Sequence, residues 1–247
     1  MMMNNNILIT CIAAPLFIVI RENPPKPPSK VATEKPKEKD FFKAVIIALK
    51  DKNFLILLLV FIFVNGAFVA IGTDFAIIFA DPKFKGGPYS TGAVSLLGAG
   101  STVIGVCFAF FFGWILKITK KNLLLLRLCC FMSCLCLAVD STFIATSGNK
   151  IWVSLFAILN GCFEIAAIPI SVNFASEITF PQDPTVITGF VLMSSRIFGF
   201  VFIILTTIVA NVGPAPAGFF LCALCGVSFL LSLLLKEEMK KSNFADQ

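Results

Sequence analysis

Residues 54–80 read FLILLLVFIFVNGAFVAIGTDFAIIFA, 27 positions carrying one charge, Asp74. A helix of that length rises roughly 40 Å, more than the ~30 Å hydrocarbon core of a bilayer. A surface helix of a soluble domain has a polar face; this segment is apolar all round, so it belongs in lipid or in the middle of a bundle. Working outward, the same texture recurs at roughly 89–116, 122–146, 151–178, 185–211 and 214–235, each long enough to span. The whole chain follows suit: 247 residues, 57% hydrophobic and 14% charged, with a mean hydropathy of +0.92. A soluble domain is about 45–50% apolar and about 25% charged. So few charges cannot coat a water-facing surface, which excludes a soluble globular enzyme, a disordered chain and a secreted disulfide scaffold. The expectation is an all-α, polytopic membrane helix bundle.

What the chain lacks narrows its chemistry. It has no histidine, which removes imidazole metal ligands and His-based acid–base work. Its nine cysteines all lie inside apolar runs, where thiols act as small hydrophobes. No nucleophile–base pair, metal-ligand set or cofactor motif is legible, so the expectation is a protein that is not an enzyme, with no metal and no cofactor. The net charge of +6 sits mostly in short loops between spans, which argues against nucleic acid as a partner.

The loops assign sides. A seventh apolar run, 6–20, is only 15 residues long. It reads as a helix whose beginning is cut off, with a signal-peptide core as the alternative. The segment 21–52 is a basic, Pro-rich linker: Pro24-Pro25-Lys26-Pro27-Pro28 favours an extended chain, and Phe41 to Leu49 forms a short amphipathic piece, either flat on the membrane or solvated. Alternating the spans puts 16 basic residues on the side of this linker and 3 on the other, with Arg196 inside a span. By the positive-inside rule the linker and the C-terminus are cytoplasmic and the N-terminus is outside. Trp114, Trp152 and Tyr89 fall near span ends, where amphipathic rings belong. The chain then divides into 1–20, a partial helix; 21–52, the linker; 53–236, a six-helix domain; and 237–247, a cytoplasmic tail.

One clipped helix, a long basic linker and six closely spaced helices make an asymmetric plan. It is similar to the second half of a twelve-helix transporter of the major facilitator type, preceded by the last helix of the first half. Two triplets, 54–146 and 151–235, follow from topology. Glu22-Asn23-Pro24-Pro25-Lys26-Pro27-Pro28-Ser29-Lys30 resembles the central-loop motif of the feline leukaemia virus subgroup C receptor-related transporters. Asn65-Gly66-Ala67-Phe68 resembles their seventh helix; Gly161-Cys162-Phe163, Pro169 and Glu177-Ile178-Thr179-Phe180-Pro181 resemble their tenth helix and the loop after it; Arg196-Ile197-Phe198-Gly199 is similar to their eleventh. The resemblance implies a solute carrier moving choline, ethanolamine or heme by alternating access. It also implies that the family's cation-caging aromatic falls at Val69, an amide at Ala76 and an eleventh-helix glutamine at Arg196. Valine offers no π face, and arginine repels a cation. The same superfamily latches a helix-end carboxylate to a basic loop. Here that implies Glu177 with Lys120 or Lys121, against the plainer reading of a helix-end charge in water.

Five ionisable residues lie in or near span interiors, Asp74, Asp140, Glu164, Glu177 and Arg196, where charge is costly unless it faces a cavity or a partner. Glu164 and Arg196 are each near mid-span on consecutive helices. They are expected to form an ion pair beside the transport cavity that opens during the cycle, against the plainer readings of a static pair or of one residue snorkelling to water. Asp74 reads as a gate or interface residue and Asp140 as a residue near water. Asn65, Gly66, Gly72 and Pro169 are expected to loosen the two helices that carry them around the solute. The stripe Ser101, Gly105, Ala109, Gly113 reads as a packing seam. Lipid and a small organic solute are the expected partners, together with a missing N-terminal half or a second copy. The alternative function is a non-transporting scaffold or receptor-like half domain that assembles with another membrane chain.

Overall fold

The structure, a computed structural model, describes residues 41–84, 87–146 and 149–236. The partial helix at 6–20, most of the linker and the tail lie outside the described residues. Among those described there is no strand. A short helix α1 (Phe41–Leu49) leads into α2 (Lys52–Phe79), α3 (Thr91–Thr119), α4 (Asn122–Thr146), α5 (Lys150–Ile178), α6 (Pro184–Ala210) and α7 (Pro214–Leu234). The last six are long and apolar enough to cross a membrane.

Local chemistry sets the boundaries. Asp51, Ser90, Asn149 and Asp183 cap α2, α3, α5 and α6, each side-chain oxygen accepting a backbone N–H of the first turn. Pro184 and Pro214 open α6 and α7, where a missing N–H is harmless. Helix α3 ends where Lys120 adopts a left-handed conformation, φ 53°. Arg127 closes the far end of α7, its guanidinium donating to the carbonyls of Ser232, Leu233 and Leu235 at 3.0–3.1 Å. The amphipathic piece takes the span its sequence suggests. Ala44, Val45 and Ala48 are buried, while Phe42 and Ile46 remain exposed.

The six long helices pack in a pattern with an internal two-fold. The major contacts are α3 on α5, α6 on α2, α4 on α5, α7 on α2, and α4 on α7, with α2 touching α5 at the centre. Exchanging the triplet α2–α3–α4 for α5–α6–α7 maps this set onto itself. Helices α2 and α5 are therefore central, and α3 and α6 each lean on one of them. Helix α2 is the most buried of the six and α3 the least, with α6 next.

Glycines seat the crossings. A Cβ placed on Gly105 of α3 would lie 2.5 Å from Ile165 Cδ1 and 3.0 Å from the Gly161 carbonyl of α5. On Gly66 of α2 it would meet the Phe202 ring of α6 at 2.7 Å, and on Gly218 of α7 it would meet Ser141 Oγ of α4 at 2.5 Å. The two-fold appears in the sequence at these crossings. Asn65-Gly66 of α2 faces Ser195 and Gly199 of α6, and Asn160-Gly161 of α5 is the corresponding pair, with Gly161 packed against Ser101 and Gly105 of α3. The serine and the glycine are four residues apart in both copies.

Candidate solute-binding face and gate

The seam between α2 and α6 carries three of the expected site residues. Asn65 is fully buried, and its Nδ2 donates to Ser195 Oγ at 2.8 Å. Val69 packs its side chain against Gly199. Asp74, 1% exposed, accepts from Thr207 Oγ1 at 3.3 Å through Oδ1, and its Oδ2 has no partner. Asp74 is thus an interface residue. Ala76 is exposed and takes no part in the seam.

The expected Glu164–Arg196 pair does not form. Glu164 is 1% exposed and turns into the junction of α4, α5 and α7, where Ser133 Oγ lies at 3.4 Å and Cys225 Sγ at 3.6 Å. Arg196 is exposed on α6, with no ion pair among the described residues. Sequence adjacency of α5 and α6 suggested that they are neighbours, but their contact is minor, because α6 leans on α2 instead. Asp140 also departs from expectation: at 6% exposure it is buried in the bundle rather than close to water.

Two concave regions bear on the expected site. One, of about 500 Å³, lies between α2 and α3 and is lined by Phe68, Gly72, Phe75, Gly98, Ala99, Ser101, Thr102 and Val103. It combines a partly exposed aromatic face at Phe68 with two hydroxyls, both bonded to the Gly98 carbonyl. The hydroxyl lone pairs and the ring face suit a small ammonium-bearing solute. Sequence reasoning passed over Phe68 in favour of Val69. Gly72 and Gly98, where an added Cβ would meet nothing within 4 Å, leave the hollow open and were the available signal.

The second hollow, of about 310 Å³, is at the lysine-rich end and is lined by Gly113, Leu116, Lys117, Lys120, Asn122, Asn173 and Glu177. It is fixed across α4 and α5 by Asn173 Nδ2 donating to Asn122 Oδ1 at 2.9 Å. Lys120 and Glu177 meet in this hollow. Lys121 does not; it lines a separate recess with Leu123, Leu124 and Arg127. Of the residues expected to form a latch, Glu177 and Lys120 thus line one hollow, with Lys117 beside them, and Lys121 lies outside it.

An all-helical bundle with six spans, pseudo-two-fold triplets and an open polar-aromatic face defines an integral, multi-pass membrane protein of transporter architecture. A sequence model of the Major Facilitator Superfamily matches residues 6–202, and the chain belongs to that superfamily. It is similar to the choline/ethanolamine transporter FLVCR1 of Felis catus, 24% identical over 97% of this chain and 46% of the relative. It is also similar to the choline/ethanolamine transporter FLVCR2 of Rattus norvegicus, 26% identical over 92% of the chain and 41% of the relative. Solute carrier family 49 member A3 of Xenopus tropicalis is 28% identical over 85% and 43%. The chain spans less than half the length of these relatives.

Proposed function

We propose that the chain forms the C-terminal lobe of an alternating-access carrier and that a small organic solute, of the choline or ethanolamine class, binds on the face left open by α2, α3 and α6. The hollow beneath Phe68 carries this reading, because it lies on the open face of the bundle and offers an aromatic ring beside hydroxyls. The names of the curated relatives point the same way. A second lobe, from a preceding half or another copy of the chain, completes the cavity. The Lys120–Glu177 hollow, at the lysine-rich end of the bundle, acts as the gate on the cytoplasmic side. Heme is the less suited cargo, since the chain has no histidine to ligate it.

Radiolabelled uptake by cells expressing the complete reading frame tests the reading. Choline or ethanolamine uptake is expected, reduced roughly tenfold by Phe68→Ala, the loss of one cation–π contact of about 1–2 kcal/mol. Uptake untouched by Phe68→Ala removes the hollow from the pathway. No uptake of either solute, with the protein at the membrane, favours the scaffold function.

A further inference from the structure

We propose that Asp140 and Glu164, linked by Asn160 and Ser133, form a proton-binding site inside the bundle, separate from the solute-binding face. The four residues lie on facing sides of two antiparallel helices. Ser133 and Asp140 are seven residues apart on α4, and Asn160 and Glu164 four apart on α5. Both spacings keep a pair on one helical face. All four are buried: Ser133 0%, Asn160 2%, Glu164 1% and Asp140 6% exposed.

The donor count selects the acid form. A buried carboxylate needs several good donors or a counter-ion. Ser133 has one hydroxyl proton, and its short contact, 2.8 Å, goes to Asn160 Oδ1. Glu164 Oε1 is left with a 3.4 Å contact from Ser133 and a 3.6 Å contact from the Cys225 thiol, while Oε2 has no partner. Asp140 Oδ1 has none either. It lines a cavity of about 20 Å³ together with Leu137, Ala157, Asn160 and Leu221. That is room for about one water.

Among the described residues no cation answers these acids. Helix α2 presents Ile71, Phe75, Ile78 and Phe79 to the cavity, and α7 presents Gly218 and Leu221. The titratable groups facing the track are Cys136 on α4, Cys225 on α7 and Tyr89 in the connection before α3. Lys150, at the same end of the bundle, turns instead to the Pro88 carbonyl at 3.1 Å and to the Tyr89 ring at 5.2 Å. The track runs from Asp140, near the end of α4 away from the lysine-rich end, to Glu164 near the middle of α5. One proton is held on Asp140, beside the water-sized cavity, and one on Glu164, while Asn160 and Ser133 fix the geometry between them without carrying a proton.

Infrared titration of the 247-residue chain in lipid nanodiscs decides the matter. Glu164→Gln and Asp140→Asn keep shape and hydrogen-bonding capacity while removing the exchangeable acid. Asp74 contributes the same background to every sample. At neutral pH the wild-type carboxylic C=O band should contain one component lost in Glu164→Gln and another lost in Asp140→Asn. Both should disappear reversibly as the pH is raised. Three results overturn the inference: a band unchanged in both variants, which means the groups are ionised; components that persist at every pH, which means fixed structural acids; or components displaced by sodium at constant pH, which means a metal-cation site.

Discussion

Asn65 and Arg196 show two fates of a polar side chain within a span. Asn65 is satisfied sideways by Ser195, so the bond ties α2 to α6 rather than loosening α2. Asn65→Ala should lower stability by about 1–3 kcal/mol, read as an earlier midpoint in thermal unfolding in detergent. Arg196 stands exposed mid-span, where a charge cannot face lipid cheaply, and in the carrier we propose it faces the solute. There it opposes cations. Arg196→Gln removes a repulsion of about 1–2 kcal/mol, and choline uptake should rise roughly tenfold relative to that of a neutral competitor. The existence of these residues was legible in the sequence, because charges and amides stand out in apolar runs. Their partners were not. Ser195 is 130 positions from Asn65, and only the lean of α6 onto α2 brings them together. The same lean removed Arg196 from Glu164.

At the scale of the element, the sequence was most informative. Expected spans such as 122–146 and 151–178 differ from α4 and α5 by no more than a residue at either end. Apolar run length fixes a membrane helix, and Asp, Asn, Ser and Pro mark its ends. What remained hidden was which glycines matter. Gly105 and Gly113 look equivalent in the stripe on α3. Yet an added Cβ at Gly105 collides with α5, while at Gly113 it meets nothing within 4 Å. Gly105→Ala should cost about 1–3 kcal/mol, whereas Gly113→Ala should be neutral or gain up to about 1 kcal/mol. Unfolding midpoints of the two variants, measured side by side, check the contrast. A shared loss would mean that the α3–α5 contact is not seated on Gly105.

For the whole molecule, the lysine asymmetry and the span count make a joint prediction. Reporter tags at Lys83 and Lys120 should lie in opposite compartments, with Lys120 cytoplasmic. Protease protection of sealed vesicles reads this directly, and tags in one compartment would break the alternation of spans. The division into triplets was legible as topology. Its two-fold was not, because two short strings, Asn-Gly and Ser-x-x-x-Gly, become a repeat only once the helix partners are known. That two-fold relates residues but not their bonds. Asn65 holds Ser195, while Asn160, its counterpart, takes a hydroxyl from Ser133 and leaves Ser101 bonded only within its own helix. The two related crossings are therefore held by different means: a polar clasp between side chains pins α6 to α2, whereas α3 is seated on α5 by the close approach of Gly105 to Gly161.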